Sequence, residues 1–580
     1  MNKHTIARAA VSAGLAVAMT LGSVAPATMA WAADGDSTIT INNVDGNKTE
    51  FKGYKIFNAD VVDNDNGGKT VSNIDWANDD VKAAVVDVIK AQEKAKGNEY
   101  KSTNAQDAAE WIRDHVTDTT KETAVASDSA AEAIAKAVMG KTEQTTVTGG
   151  QQSDALKSGY WLFVTDPSTV DNDSGTKNTE TYTSPIFAVV GGSAYTVTEK
   201  ASVPTVEKKI VSDKDGLEYD AADSHVGQDV TYNIYGTVAQ DFATYDSYSY
   251  VFTDNVTEGL TVESGSVKVY MYASKDAAKA DLTHTEGADV TSNFTTVLGV
   301  AKDDGSKDLT VTAKTTDGAK GLKSINGATK DSCFVVTYTA KINSKAVIGN
   351  PGNPNTVTLT YSNNPNAEGT GETVPDTVRD FTYALNLVKL DQGTEKALDG
   401  ATFTIKVKSV DDKDKSSVGK YVKADGTLTD NVDEAKLTTK DGAAINVKGL
   451  DYGTYTVTEE SAPTGYTKVA PFDFTIDPTI DETSQEVTKL ESALDTKDAD
   501  HVKAGLVDPN STKGDNVLTM QANSGVTDNN TVNITVGDVK SVGLPLTGQA
   551  GIGVTLAAGG AVLAIGVYRV VRSRREQDAE

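Results

Sequence analysis

A single cysteine in 580 residues, Cys333, leaves this chain without an intrachain disulfide. It stands in the β-branched run "SCFVVTYTA", which predicts a buried strand position rather than a reactive thiol. Histidine is nearly as scarce. His4, His115, His225, His284 and His501 are too scattered to form a metal site, and no metal or cofactor is expected. Positive charge is short, with 54 Lys and Arg against 82 Asp and Glu and a net charge of −28. An acidic excess spread along the chain argues against nucleic acid as a partner and for a soluble, self-repelling surface. No repeat is regular enough for a solenoid. A nucleophile elbow, a His-rich metal motif and an evident paired-carboxylate cleft are all missing, so nothing supports a surface enzyme such as a glycosidase.

Long apolar runs occur only at the ends. Residues 1–32 read as a secretory signal, with Lys3 and Arg8 before "AAVSAGLAVAMTLGSVA" and Ala30-Trp31-Ala32 as the cleavage site. At the other end Leu544, Pro545, Leu546, Thr547 and Gly548 spell "LPLTG". An apolar run of 19 residues follows, Ala550–Tyr568, about enough to cross a bilayer. Arg569, Arg572, Arg574 and Arg575 would hold its end on the cytoplasmic side. This order over 544–580 resembles the cell-wall sorting signal of Gram-positive surface proteins. The resemblance implies that a sortase cuts between Thr547 and Gly548 and passes the threonine carbonyl to an amine. Removing both ends leaves a net charge of about −31.

The ~510 residues between exceed one core and suggest three domains. Short runs such as "STITINNV", "KGYKIFNA", "GYWLFVTD", "SVKVYMY", "TVTLTYS", "GTYTVTE" and "VNITVGDV" alternate with Asn, Asp and Gly turns. That pattern predicts a mainly β fold of tandem sandwiches. Helical periodicity is confined to 79–140. Val81, Val85, Val88 and Ile89 share one helical face, as do Ala108, Trp111, Ile112 and His115. Ser129 with Glu132 forms a capping box before a third helix, and Gly140 stops it. The expected division is a sandwich with a helical insertion at 33–198, a second domain at 199–382 and a third at 383–541.

Polar residues interrupt the apolar faces of particular strands, because residues i, i+2 and i+4 lie on one face. Lys208 stands between Val206 and Ile210, Asp254 continues Tyr250 and Phe252, and Asn355 begins the face of Val357, Leu359 and Tyr361. The pattern recurs: Lys389 follows Leu385 and Leu387, Glu459 follows Tyr455 and Val457, and Asp538 follows Ile534 and Val536. One such lysine alone would read as an exposed strand residue or an ion pair. Two complete sets in the same chain order predict chemistry. Desolvation pushes a lysine toward the neutral amine and a carboxyl toward the neutral acid. A neutral amine facing a carbonyl, beside an acid that shuttles protons, is set up to condense into an amide. Asn would release ammonia and Asp would release water. The closed loops would span 147 and 149 residues. By analogy with disulfides each would stabilise its domain by about 4–5 kcal/mol in the chain-entropy model.

The same residues carry a family resemblance. "YTVTEESAPTGY" resembles the E-box of sortase-assembled pilins, "NTVTLTYSN" their N-x-A-x-L-x-Y-S-N, and "YVFTDNVTEGL" the segment of their catalytic Asp. The chain is therefore similar to Gram-positive backbone (shaft) pilins. That resemblance implies CnaA-like and CnaB-like immunoglobulin folds for the second and third domains. It also implies isopeptides Lys208–Asn355, assisted by Asp254, and Lys389–Asp538, assisted by Glu459. The family ends its last strand with Val-x-Asn where this chain has Val536-Gly-Asp538. Asn533 is the alternative acceptor, although it lies on the opposite face from Ile534 and Val536. The resemblance further implies a linking lysine just before the second domain. Lys200, in "AYTVTEK", occupies that place without the usual Tyr-Pro before it, and its parity is compatible with exposure. Lys209 is the fallback. The implied partners are sortase, identical subunits in a covalent homopolymer, peptidoglycan and minor tip or base pilins, on a surface fimbria. A monomeric wall-anchored adhesin is the competing reading. The host ligand is not legible.

Overall fold

The computed structural model describes residues 20–21, 37–44, 47–64, 68–116, 124–141, 145–170, 181–316, 319–410, 415–504 and 530–541. Most of the signal segment and the whole of 544–580 lie outside them. Among the described residues no helix is long and apolar enough to cross a membrane.

Near the N-terminus one sheet orders Lys69–Trp76, Glu50–Asp63, Gly159–Thr165 and Ile186–Val190, with Thr145–Thr148 also paired to Glu50–Asp63. Thr20 and Leu21, inside the expected signal segment, pair in parallel with Thr70 and Val71. Three helices, Asp79–Ala95, Ala105–His115 and Ala130–Val138, cover one face around Ile56, Phe57, Leu162 and Val164. The other face packs on Ile39–Asn42 and Tyr195–Thr198, which pair with each other in parallel.

The helix signals need three corrections. Val81, Val85 and Ile89 are buried as their spacing requires, joined by Val86, while Val88 is only half-buried. His115 is exposed, stacked on Trp111 with ring centroids 4.2 Å apart. Ser129 caps its helix by accepting from the Glu132 amide at 3.2 Å, but Glu132 does not complete the box. Its side chain turns inward instead, wholly buried, with Lys136 Nζ 3.4 Å away. Burial pushes the Glu132 carboxyl up to about 7, against the pull of Lys136. A carboxyl raised above its unfolded value stabilises the fold at low pH, and that stability is lost as pH rises through about 7. Glu132→Gln is therefore expected to flatten the pH dependence of unfolding between pH 5 and 8. Relative to wild type it should stabilise the N-terminal sandwich at pH 8 by on the order of 2 kcal/mol, measured by denaturant titration at each pH.

The middle sandwich faces two sheets across one core of Tyr232, Tyr250, Phe252, Phe334, Leu359 and their neighbours. The first sheet runs, from one side to the other, Val206–Val211, Asp229–Thr237, Cys333–Ile342 and Lys268–Tyr272. The second runs Asp376–Phe381, Asn353–Ser362, Tyr250–Val256, Lys307–Ala313 and Phe294–Leu298. Cys333 is fully buried in its strand, and burial pushes its thiol up to about 12.

The C-terminal sandwich has one sheet of Ile445–Leu450, Tyr383–Asp391 and Thr531–Lys540, the last two parallel. The facing sheet centres on Thr402–Ser409, Gly453–Ser461 and Phe472–Asp481. Phe381 and Ala221, from the strands that end the middle sandwich, pack into this third core. The contact is close: Val226 donates its amide to Gly449 O at 3.0 Å, and a Cβ on Gly449 would meet Val226 Cγ2 at 2.2 Å. Gly449 also has φ +85°, so glycine is required there twice over. Asn350 adds a reciprocal pair of 2.9 Å hydrogen bonds with the Val487 backbone.

Candidate functional site

Each of the last two sandwiches encloses one lysine with two partners. In the middle sandwich Lys208 is fully buried on the first sheet, its register fixed opposite Ile234, and its own amide donates to Asp376 Oδ2 at 2.6 Å. Asp254 and Asn355 project from adjacent strands of the second sheet, where Asn355 lies opposite Val256 and so diagonal to Asp254. Lys208 Nζ lies 2.5 Å from Asp254 Oδ2. All three side chains are at most 1 % exposed. Burial lowers the lysine's pKa, and the nearby Asp254 only partly offsets that.

A residue the sequence did not single out stands at the centre. Tyr338, buried on Cys333–Ile342, accepts from Lys208 Nζ at 3.1 Å and from Asn355 Nδ2 at 2.6 Å, and donates to Asp254 Oδ2 at 2.7 Å. Its strand parity, shared with Phe334 and Val336, marks it as core-facing. Only the register, Tyr338 opposite Tyr232 and Tyr232 opposite Ile210, carries it to the lysine.

The C-terminal set is arranged differently. Lys389 and Asp538 come from neighbouring parallel strands, Lys389 opposite Val536 and Asp538 two residues further on. Their side chains are in direct contact, Nζ on Oδ1. Glu459 reaches across from the facing sheet, with Oε1 3.0 Å from Nζ and Oε2 accepting the Val469 amide at 2.9 Å. Burial raises the Glu459 carboxyl, against the pull of Lys389. Asn533 lies on the outer face and accepts from Asn386 Nδ2 at 3.1 Å, away from this cluster.

The two copies of "YTVTE" prove to be different strands. The copy at 455–459 belongs to the sheet facing Lys389. The copy at 195–199 belongs to a strand parallel to Ile39–Asn42, with Ile41 opposite Val197. Glu199 therefore holds the place of Asp538, not that of Glu459, and fully buried Ile41 holds the place of Lys389. Glu199 instead accepts from Asn47 Nδ2 and the Val44 amide, both at 2.7 Å. An isoleucine there supplies no amine, so the N-terminal sandwich has no nucleophile at the corresponding point.

Lys200 is half-buried rather than exposed. Its backbone is held to the N-terminal sandwich on both sides: its amide donates to Thr183 Oγ1 at 2.9 Å and its carbonyl accepts from Ser184 at 3.0 Å. Burial lowers its ammonium pKa to about 8. Lys209 is tied up at 2.5 Å by Asp220 and 3.5 Å by Glu207. Burial disfavours its charge, but these carboxylates outweigh that and raise its pKa. The five "LPLTG" residues, Thr547 included, lie outside the described residues.

The fold and these clusters define a tandem β-sandwich protein with a buried lysine, acid and amide or second acid in each of two domains. Comparison then gives particulars. Residues 384–490 match the SpaA prealbumin-like fold domain. The trypsin-resistant surface T6 protein of Streptococcus pyogenes serotype M6 is 24% identical over 280 residues, 46% of this chain and 44% of that protein. The chain thus spans under half the length of this relative. Among solved structures, the T6 backbone pilin of S. pyogenes superposes with TM-score 0.47 at 16% identity, over 87% of this chain and 99% of that one. The full-length major pilin SpaD of Corynebacterium diphtheriae gives 0.41 at 17%, over 89% and 100%. The chain is similar to Gram-positive backbone pilins.

Proposed function

We propose that this chain is the major structural subunit of a covalent, sortase-assembled surface pilus. The observation that carries it is the pair of buried lysine–acid clusters in consecutive sandwiches, Lys389 in contact with Asp538 and Lys208 sharing the Tyr338 hydroxyl with Asn355. Neither ammonium is placed where water could solvate it, so condensation removes a charge that burial makes costly. In the middle domain, 199–382, Lys208 Nζ attacks Asn355 Cγ with Asp254 moving protons, and ammonia leaves. In the third, 383–541, Lys389 attacks Asp538 Cγ with Glu459 assisting, and water leaves. Each event happens once per molecule, so the chain is a substrate of sortase and not an enzyme. Thr547 of one subunit joins Lys200 of the next, and the finished fibre is attached to peptidoglycan and supports adhesion. Lys200 lies just past the helix-bearing domain, 33–198, at its boundary with the second domain.

Two measurements test this. The intact mass of the purified ectodomain is expected to fall short of its sequence mass by one ammonia and one water; a full sequence mass removes both cross-links. Boiling a wall extract in SDS is expected to leave a ladder of high-mass species on an immunoblot. A single band would leave a monomeric wall-anchored adhesin instead.

A further inference from the structure

We propose that Tyr338 is a catalytic residue of the Lys208–Asn355 condensation, the relay that carries a proton from Asp254 to the departing amide nitrogen. The inference rests on the cross-link reading above and concerns how that bond forms. No hydrogen bond joins Asp254 to Asn355; the Tyr338 hydroxyl is the atom that touches Lys208, Asp254 and Asn355 together. An amide nitrogen leaves only when protonated, since expelling the amide anion into a dry interior is prohibitive. The carboxyl thus needs a carrier to reach Asn355 Nδ2, and Tyr338 Oη lies 2.7 Å from the one and 2.6 Å from the other. Burial, with the Asp254 charge adding to it, holds the phenol far above its usual pKa, so the hydroxyl keeps its proton until it exchanges one. Tyr232, stacked on it at a centroid distance of 5.3 Å, holds the ring in place.

The steps balance. The Lys208 ammonium gives one proton to Asp254 Oδ2, and the neutral amine adds to Asn355 Cγ, forming the Nζ–Cγ bond. Asp254 then passes its proton to Tyr338 Oη while the hydroxyl's own proton moves to Nδ2. The Cγ–Nδ2 bond breaks and ammonia departs. Asp254 takes the second proton from Nζ and ends as the neutral acid beside a neutral amide. The third sandwich needs no such carrier: Glu459 stands beside Lys389, Lys389 touches Asp538, and among the described residues no tyrosine hydroxyl bonds any of them.

The test follows ammonia loss by intact mass during cell-free synthesis of the whole ectodomain. Tyr338→Phe is expected to slow it roughly a hundredfold or more. Water loss from the third sandwich of the same molecules should keep its wild-type rate. Equal rates of ammonia loss in Tyr338→Phe and wild type overturn the relay and leave the cross-link standing. Absence of ammonia loss in wild type overturns the cross-link itself. Site-specific 3-fluorotyrosine at 338 preserves shape while making the hydroxyl more acidic, and decides the matter if the phenylalanine variant does not fold. A changed rate supports the relay, and an unchanged rate overturns it.

Discussion

Lys389→Ala is expected to unfold its sandwich roughly 10–20 °C below wild type. Losing a cross-link that closes a 149-residue span restores about 4–5 kcal/mol of chain entropy to the unfolded state. In a domain of this size each kcal/mol moves the midpoint by about 2–4 °C. Removing the amine also leaves Glu459 and Asp538 facing each other, both buried, which costs more unless one is protonated. Glu459→Gln separates the two effects, because it keeps the lysine and Asp538 while removing the proton carrier. It should lose the water deficit in intact mass and most of the thermal shift. Calorimetry showing an unchanged transition in Lys389→Ala would refute the cross-link's mechanical role in this domain.

Lys200→Ala is expected to collapse the SDS-resistant ladder to monomer, while Lys209→Ala leaves it intact. The two lysines differ by environment. Burial lowers Lys200 to about 8, whereas Asp220 and Glu207 hold Lys209 in its charged form. At pH 7 an amine with pKa 8 is roughly one-tenth neutral, against well under a thousandth for an ordinary lysine. Only the neutral form attacks an acyl-enzyme. The rate of transfer to Lys200 should therefore rise with pH and flatten above about 8. A rate still climbing beyond pH 9.5 would show an ordinary, solvated lysine. The Lys200 backbone is held by Thr183 and Ser184 next to the seam between the first two sandwiches. There the Tyr182 amide bonds Asn363 O at 3.2 Å and Thr244 Oγ1 bonds Ser184 Oγ at 2.9 Å. Lys200→Arg keeps the charge and should abolish the ladder equally.

Much of this was legible because strands repeat every two residues. That period alone sends Lys208, Asp254, Asn355, Lys389, Glu459 and Asp538 inward, and all six are buried. Helical period likewise set Val81, Val85 and Ile89 inward. It failed at His115, which shares the face of Ala108, Trp111 and Ile112 yet is exposed, stacked on Trp111. Local parity also misjudged Lys200, which is half-buried where alternation was compatible with exposure. Identical letters at 195–199 and 455–459 occupy strands with different neighbours.

By itself, then, the chain's alternation determined which side chains leave water. Only the tertiary structure decided which of the hidden groups meet. It put Tyr338 among three reactants, Ile41 where a lysine would be needed, and Lys200 under partial cover. Side-chain direction follows from φ and ψ of one strand, whereas encounter depends on register and sheet order, which are set by contacts such as that of Lys389 with Asp538, 149 residues apart.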